Sequence, residues 1–82
     1  MENLLMQYKN DTGVTYRKLT RKINSVLRTK NTNIQVLHES VEDYAKSQKQ
    51  PRNEEVSEAI AELIGCTTKE FLDSLRTCKK AG

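Results

Sequence analysis

The chain has 82 residues, 35% of them hydrophobic and 30% charged, with a formal net charge of +3. That length supports one domain with one modest core, burying roughly 60–65% of the unfolded surface, and excludes a second core. No apolar run approaches the roughly 18–20 residues of a membrane span, and Met1-Glu2-Asn3-Leu4-Leu5-Met6 lacks the basic start and long apolar stretch of a secretory leader. No membrane association is therefore expected, and the expected location is cytoplasmic.

The apolar residues fall into periodic groups that predict five short helices. Leu4, Leu5 and Tyr8 suit a helix from Glu2 to Lys9, and Asn10-Asp11-Thr12-Gly13 reads as a turn. Thr15 is placed to cap a second helix from Tyr16 to Arg28, whose Tyr16, Leu19, Ile23, Val26 and Leu27 give the strongest helical pattern in the chain. Thr29-Lys30-Asn31-Thr32-Asn33 reads as a loop. Ile34-Gln35-Val36-Leu37 fits either a short strand or a single helical turn. Ser40 is the expected N-cap of a third helix, with Asp43 completing a weak capping box and Val41, Tyr44 and Ala45 facing inward to about Gln48. Pro51 marks a connection. Asn53 then caps a fourth helix with Glu54 and Glu55 in its first turn, Val56, Ala59, Ile60, Leu63 and Ile64 on its apolar face, and Gly65 as its stop. Thr67-Thr68-Lys69-Glu70 is a clean capping box for a fifth helix carrying Phe71, Leu72, Leu75 and Cys78. The end, residues 79–82, is expected to fray.

Charge is unevenly distributed along these elements. From Thr12 to His38 there is no Asp or Glu, while the same stretch holds Arg17, Lys18, Arg21, Lys22, Arg28 and Lys30. From Glu39 to Leu63 acids dominate: Glu39, Glu42, Asp43, Glu54, Glu55, Glu58 and Glu62 face Lys46, Lys49 and Arg52. One end of the fold should therefore carry a positive field, against the bland alternative of a merely solvated helix face.

Catalytic chemistry has little to stand on. His38 is the only histidine, and with two distant cysteines it does not form the paired spacings of a zinc site. Cys66 and Cys78, if carried on one helix, would lie about 18 Å apart, too far for a disulfide, so both are read as reduced thiols. Cys66 is expected to lie beneath the last helix. No glycine-rich phosphate loop is present. Glu54, Glu55, Glu58 and Glu62 read as a solvated face. No enzyme activity, metal or cofactor is expected.

Thr15-Tyr16-Arg17-Lys18-Leu19-Thr20-Arg21-Lys22-Ile23 resembles the second helix of a helix-turn-helix domain. Ser40 to Pro51 looks like the recognition helix and exit of Cro- and repressor-type phage domains, Val56 to Gly65 is similar to their fourth helix, and Thr67 to Leu72 to their fifth. The resemblance implies an all-α, lambda-repressor-like fold with five helices and an enlarged link, Thr29 to Glu39, where the family usually has a short turn. The family's glycine after the recognition helix is replaced by Ser47 or Gln48. Glu42 and Asp43 sit on the helix that should read bases, where phosphates would repel them.

The resemblance further implies a sequence-specific DNA-binding transcriptional regulator, of phage or mobile-element type, acting as a homodimer on a two-fold site. Arg17, Lys18, Arg21, Lys22, Arg28, Lys30 and Arg52 would anchor phosphates, and Gln35, His38, Ser40, Lys46, Gln48 and Lys49 would reach base edges or nearby phosphates. Tyr44 is read as core, and Leu4, Leu5, Leu72 or Leu75 as the dimer interface. The other reading is a protein-interaction module (an antitoxin, antirepressor or inhibitor of a host protein) that uses the acidic fourth helix. A membrane-surface role for residues 15–28 fits poorly, because their apolar face is needed for the core.

Overall fold

Each apolar stripe becomes one helix of an all-α domain: α1 Leu4–Thr12, α2 Tyr16–Thr29, α3 His38–Ala45, α4 Glu54–Ile64 and α5 Thr68–Thr77. The structure, a computed structural model, describes residues 3–77. Cys78 and the expected fraying of residues 79–82 lie outside them. No strand occurs among the described residues, so Ile34–Leu37 is neither strand nor helical turn.

The local signals explain most boundaries. The Asn3 side chain accepts from the Met6 amide at 2.9 Å and starts α1. The helix then runs through Asn10–Thr12, beyond the expected turn. Gly13 alone makes the reversal: its φ of +71° ends the helix and its N–H donates back to the Lys9 carbonyl at 2.9 Å. Thr15 caps α2 as expected, accepting from the Lys18 amide at 3.2 Å. At α4 the Asn53 backbone carbonyl takes the Val56 and Ser57 amides, while its side chain makes no capping bond. Gly65, at φ +93°, stops that helix. The capping box of α5 is complete: the Thr67 amide donates to Glu70 Oε1 at 3.1 Å, and the Glu70 amide donates to Thr67 Oγ1 at 3.1 Å.

The third helix departs from expectation at both ends. It begins at His38, with Leu37 in the N-cap position and no side-chain cap, so Ser40 lies inside the first turn. The cause is upstream, where the Val36 backbone is fixed against α2 and the chain enters the helix directly. It ends at Ala45 rather than near Gln48. Ser47 takes φ +59° and the Gln48 amide closes on the Asp43 carbonyl at 2.9 Å. Of Ser47 and Gln48, it is Ser47 that takes the left-handed backbone usually given to glycine. The buried Asn3 amide, 1% exposed, donates to Ser47 Oγ at 2.8 Å and to the Tyr44 carbonyl at 2.9 Å, which ties α1 to this turn and holds the left-handed backbone.

The core joins all five helices. Leu5, Leu19, Ile23, Leu27, Val41, Ala59, Ile60, Phe71 and Leu75 are buried, with Tyr44, Leu63, Leu72 and Cys66 packed at its margin. Leu5 and Leu75 are therefore unavailable to a dimer interface, because the single core needs them. Leu4 and Leu72 are half-buried. No buried side-chain nitrogen or oxygen among the described residues lacks a partner.

Candidate nucleic-acid interface

Helical periodicity divides the cations of α2. At about 100° per residue, Arg17, Arg21 and Arg28 fall within about 40° of one another on one flank of the buried Leu19–Ile23–Leu27 stripe. Lys18 and Lys22 lie roughly a quarter-turn or more further round. Asn24 lies at the edge of this face, about 20° from Arg17 toward the buried stripe, and half-buried.

Asn24 is the residue that organises the link. Its Oδ1 accepts from the Val36 amide at 2.9 Å, and its Nδ2 donates to the Val36 carbonyl at 3.2 Å. This two-way bond imitates one rung of a sheet, with Val36 itself buried. The link therefore lies along α2 rather than looping into solvent. Earlier in the link, Thr32 Oγ1 donates to the Leu27 carbonyl at 3.0 Å, and Asn31 takes φ +59°.

Two adjoining depressions result. One, of about 340 Å³, is lined by Arg17, Thr20, Arg21, Val36, Leu37 and His38. The next, of about 380 Å³, is lined by Arg21, Asn24, Arg28 and Gln35. Arg21 stands between them. A third depression, of about 660 Å³, shares Gln35, Val36 and Leu37 with these two and adds Ser40, Lys49 and Arg52 around Tyr44 and Val56.

The structure thus brings Arg17, Arg21, Arg28, Gln35 and His38 together, and none of the three arginines has an ion-pair partner among the described residues. Other predicted cations are occupied. Lys30 Nζ lies 3.0 Å from Glu62 of α4. Lys46 Nζ lies 2.7 Å from Glu42, and Lys49 Nζ 3.7 Å from Asp43. The hydrogen bond from Lys46 holds the Glu42 carboxyl below the usual carboxylate range and raises the Lys46 ammonium in return. The two acids that seemed to oppose phosphate are therefore partly neutralised by neighbouring lysines. Lys18, Lys22 and Gln48 are exposed and line none of these three depressions.

Two further titratable groups, Tyr16 and Cys66, line none of these depressions. Tyr16 lies under the Lys9 ammonium, 4.6 Å from its ring centroid, and its hydroxyl approaches Met6 Sδ at 3.9 Å. Burial pushes the Tyr16 phenol up, and the nearby Lys46 charge works against that. Cys66 is half-buried ahead of α5, and burial raises its thiol, with Glu70 adding to the effect. No group of three or more His, Cys, Asp or Glu among the described residues could hold a metal ion, and no described helix is long and apolar enough to cross a membrane.

Sequence reasoning missed Asn24 and Leu37. Asn24 is a polar residue in mid-helix with no acid or base to mark it. Leu37 was hidden by placing the start of α3 at Ser40. No protein-family model, curated protein or solved structure matches this chain.

Proposed function

We propose that this domain docks on duplex DNA through α2 and the pinned link, in the manner of a helix-turn-helix regulator of transcription. The observation that carries this reading is the arginine row Arg17–Arg21–Arg28, without an ion-pair partner among the described residues, along two adjoining depressions with Gln35 and His38. Guanidinium groups bind phosphate bidentately and bring no competing acid with them here. A row of exposed cations is what a phosphate backbone requires. Pairing of Lys46 and Lys49 with Glu42 and Asp43 lowers the repulsion that α3 would otherwise present. A single reading head of this size would act as a homodimer on a two-fold site, which sedimentation would test.

The test compares two faces. Binding of a fluorescent random-sequence duplex should weaken about tenfold or more in Arg17→Ala/Arg21→Ala, since hydrogen bonds to charged groups are worth about 1.5–3 kcal/mol each. It should change little when Glu54, Glu58 and Glu62 are replaced by Lys. Unimpaired binding in the arginine variant would overturn the reading. Loss of a protein partner on reversal of the α4 acids would favour the interaction-module alternative instead.

A further inference from the structure

Leu37 is the one large hydrophobic side chain exposed among the described residues, at 68%. It stands at the N-cap of α3, where Ser, Thr, Asn or Asp is favoured because a side-chain oxygen can accept a backbone amide. Leucine does nothing of that kind here: it neither caps the helix nor packs in the core. Its backbone is fixed all the same, because the preceding residue, Val36, is buried and held by Asn24 through both its amide and its carbonyl. In extended backbone, alternate residues project to the same side. Accordingly Gln35 and Leu37 are both exposed and both line the depression of about 660 Å³, while Val36 between them is buried. The depression of about 340 Å³ around Leu37 is walled by Arg17, Arg21 and His38. The first turns of α3 offer a poorer reading surface, since Glu39 and Asp43 lie opposite the buried Val41 and Ala45.

We infer that Leu37 is a specificity-determining residue that reads the C5 methyl group of thymine, with the link rather than α3 supplying the base contact. This rests on the DNA-docking reading above. The chemistry of the position selects this target. A phosphate would be met by the arginines, and the donor and acceptor edges of bases by Gln35 or His38. The thymine methyl is the one apolar group that the major groove displays. Gln35, on the same side of the link, has the amide needed to meet the adenine of such a pair through its N6 and N7 positions.

The experiment removes the thymine C5 methyl groups and nothing else. Short random-sequence duplexes retained by the wild-type domain are amplified in two forms, with thymidine or with deoxyuridine at every T position, and affinities are compared at one salt concentration. Wild type should prefer the thymidine pool about fourfold for each methyl contacted, the worth of one buried methyl group. Leu37→Ala should keep the slope of affinity against salt but bind both pools equally, at about the wild-type affinity for the deoxyuridine pool. Leu37→Ser supplies the missing cap, so it should melt no lower than wild type while losing the preference, which separates a reading role from a folding role. Equal wild-type affinity for the two pools would overturn the role of Leu37 and leave DNA docking intact. A preference that persists in Leu37→Ala would overturn it as well. Failure of the folded wild type to retain any duplex would overturn docking and this inference together.

Discussion

Replacing Asn24 with Ala tests whether the long link is a built element or a slack loop. The substitution removes both hydrogen bonds to Val36, at 2.9 and 3.2 Å. A typical bond contributes about 1 kcal/mol net, and an unsatisfied group shielded from water costs about 1–3 kcal/mol. Val36 is 8% exposed, so water replaces the lost partners poorly. The expected loss is about 2–3 kcal/mol, which for a domain of this size lowers the melting temperature by roughly 10–20 °C. Circular dichroism melts and urea titrations measure it, and hydrogen exchange reports the Val36 amide directly. That amide should be protected in the wild type and exchange rapidly in the variant. Asn24→Asp keeps the acceptor for the amide but sets a carboxylate against the Val36 carbonyl, so it should also destabilise. A change below about 0.5 kcal/mol, the range of an ordinary surface substitution, with unaltered exchange at Val36 would refute the clamp. DNA affinity should fall with the clamp, because both depressions along α2 are walled by the link.

Four further outcomes follow from particular contacts. Leu5→Ala should cost about 2–5 kcal/mol in denaturant unfolding, since Leu5 is fully buried. Thr67→Ala should cost about 1 kcal/mol by removing one half of the α5 capping box. Gly65→Ala should destabilise by about 1 kcal/mol or more, because a Cβ has open space but the φ of +93° is strained for any side chain. By NMR titration, the Glu42 carboxyl should ionise below the usual carboxylate range and return to it in Lys46→Gln. The sign follows: any support from this pair is complete above the ordinary carboxylate pKa and is lost as pH falls through the lowered one.

What the sequence revealed and concealed divides along physical lines. Periodic apolar spacing and strong end signals made α2, α4 and α5 readable: Thr15, Gly65 and the Thr67–Glu70 box all act within one turn of their own helix. Contacts between distant segments were not readable. Asn3 reaches the turn after α3, and that bond allows Ser47 to adopt a backbone usually given to glycine. Asn24 reaches the middle of the link, and that bond moves the start of α3 to His38. The cation cluster was visible as an acid-free stretch, but composition could not divide it. Only the helix faces separate Arg17, Arg21 and Arg28 from Lys18 and Lys22, and only the fold shows that Lys30 is held by Glu62. Likewise, burial of Leu5 and Leu75 depends on how five stripes share one small core.

The central claim is that the arginine face of α2 meets a phosphate backbone, and the salt dependence of duplex binding tests it most directly. Three phosphate contacts from Arg17, Arg21 and Arg28 predict a log–log slope of about −3. Arg17→Ala/Arg21→Ala should make that slope shallower by about 2, whereas Lys30→Ala should leave it nearly unchanged because Glu62 already holds that ammonium. An affinity that does not vary with salt, or a slope unaltered by loss of both arginines, would contradict the account.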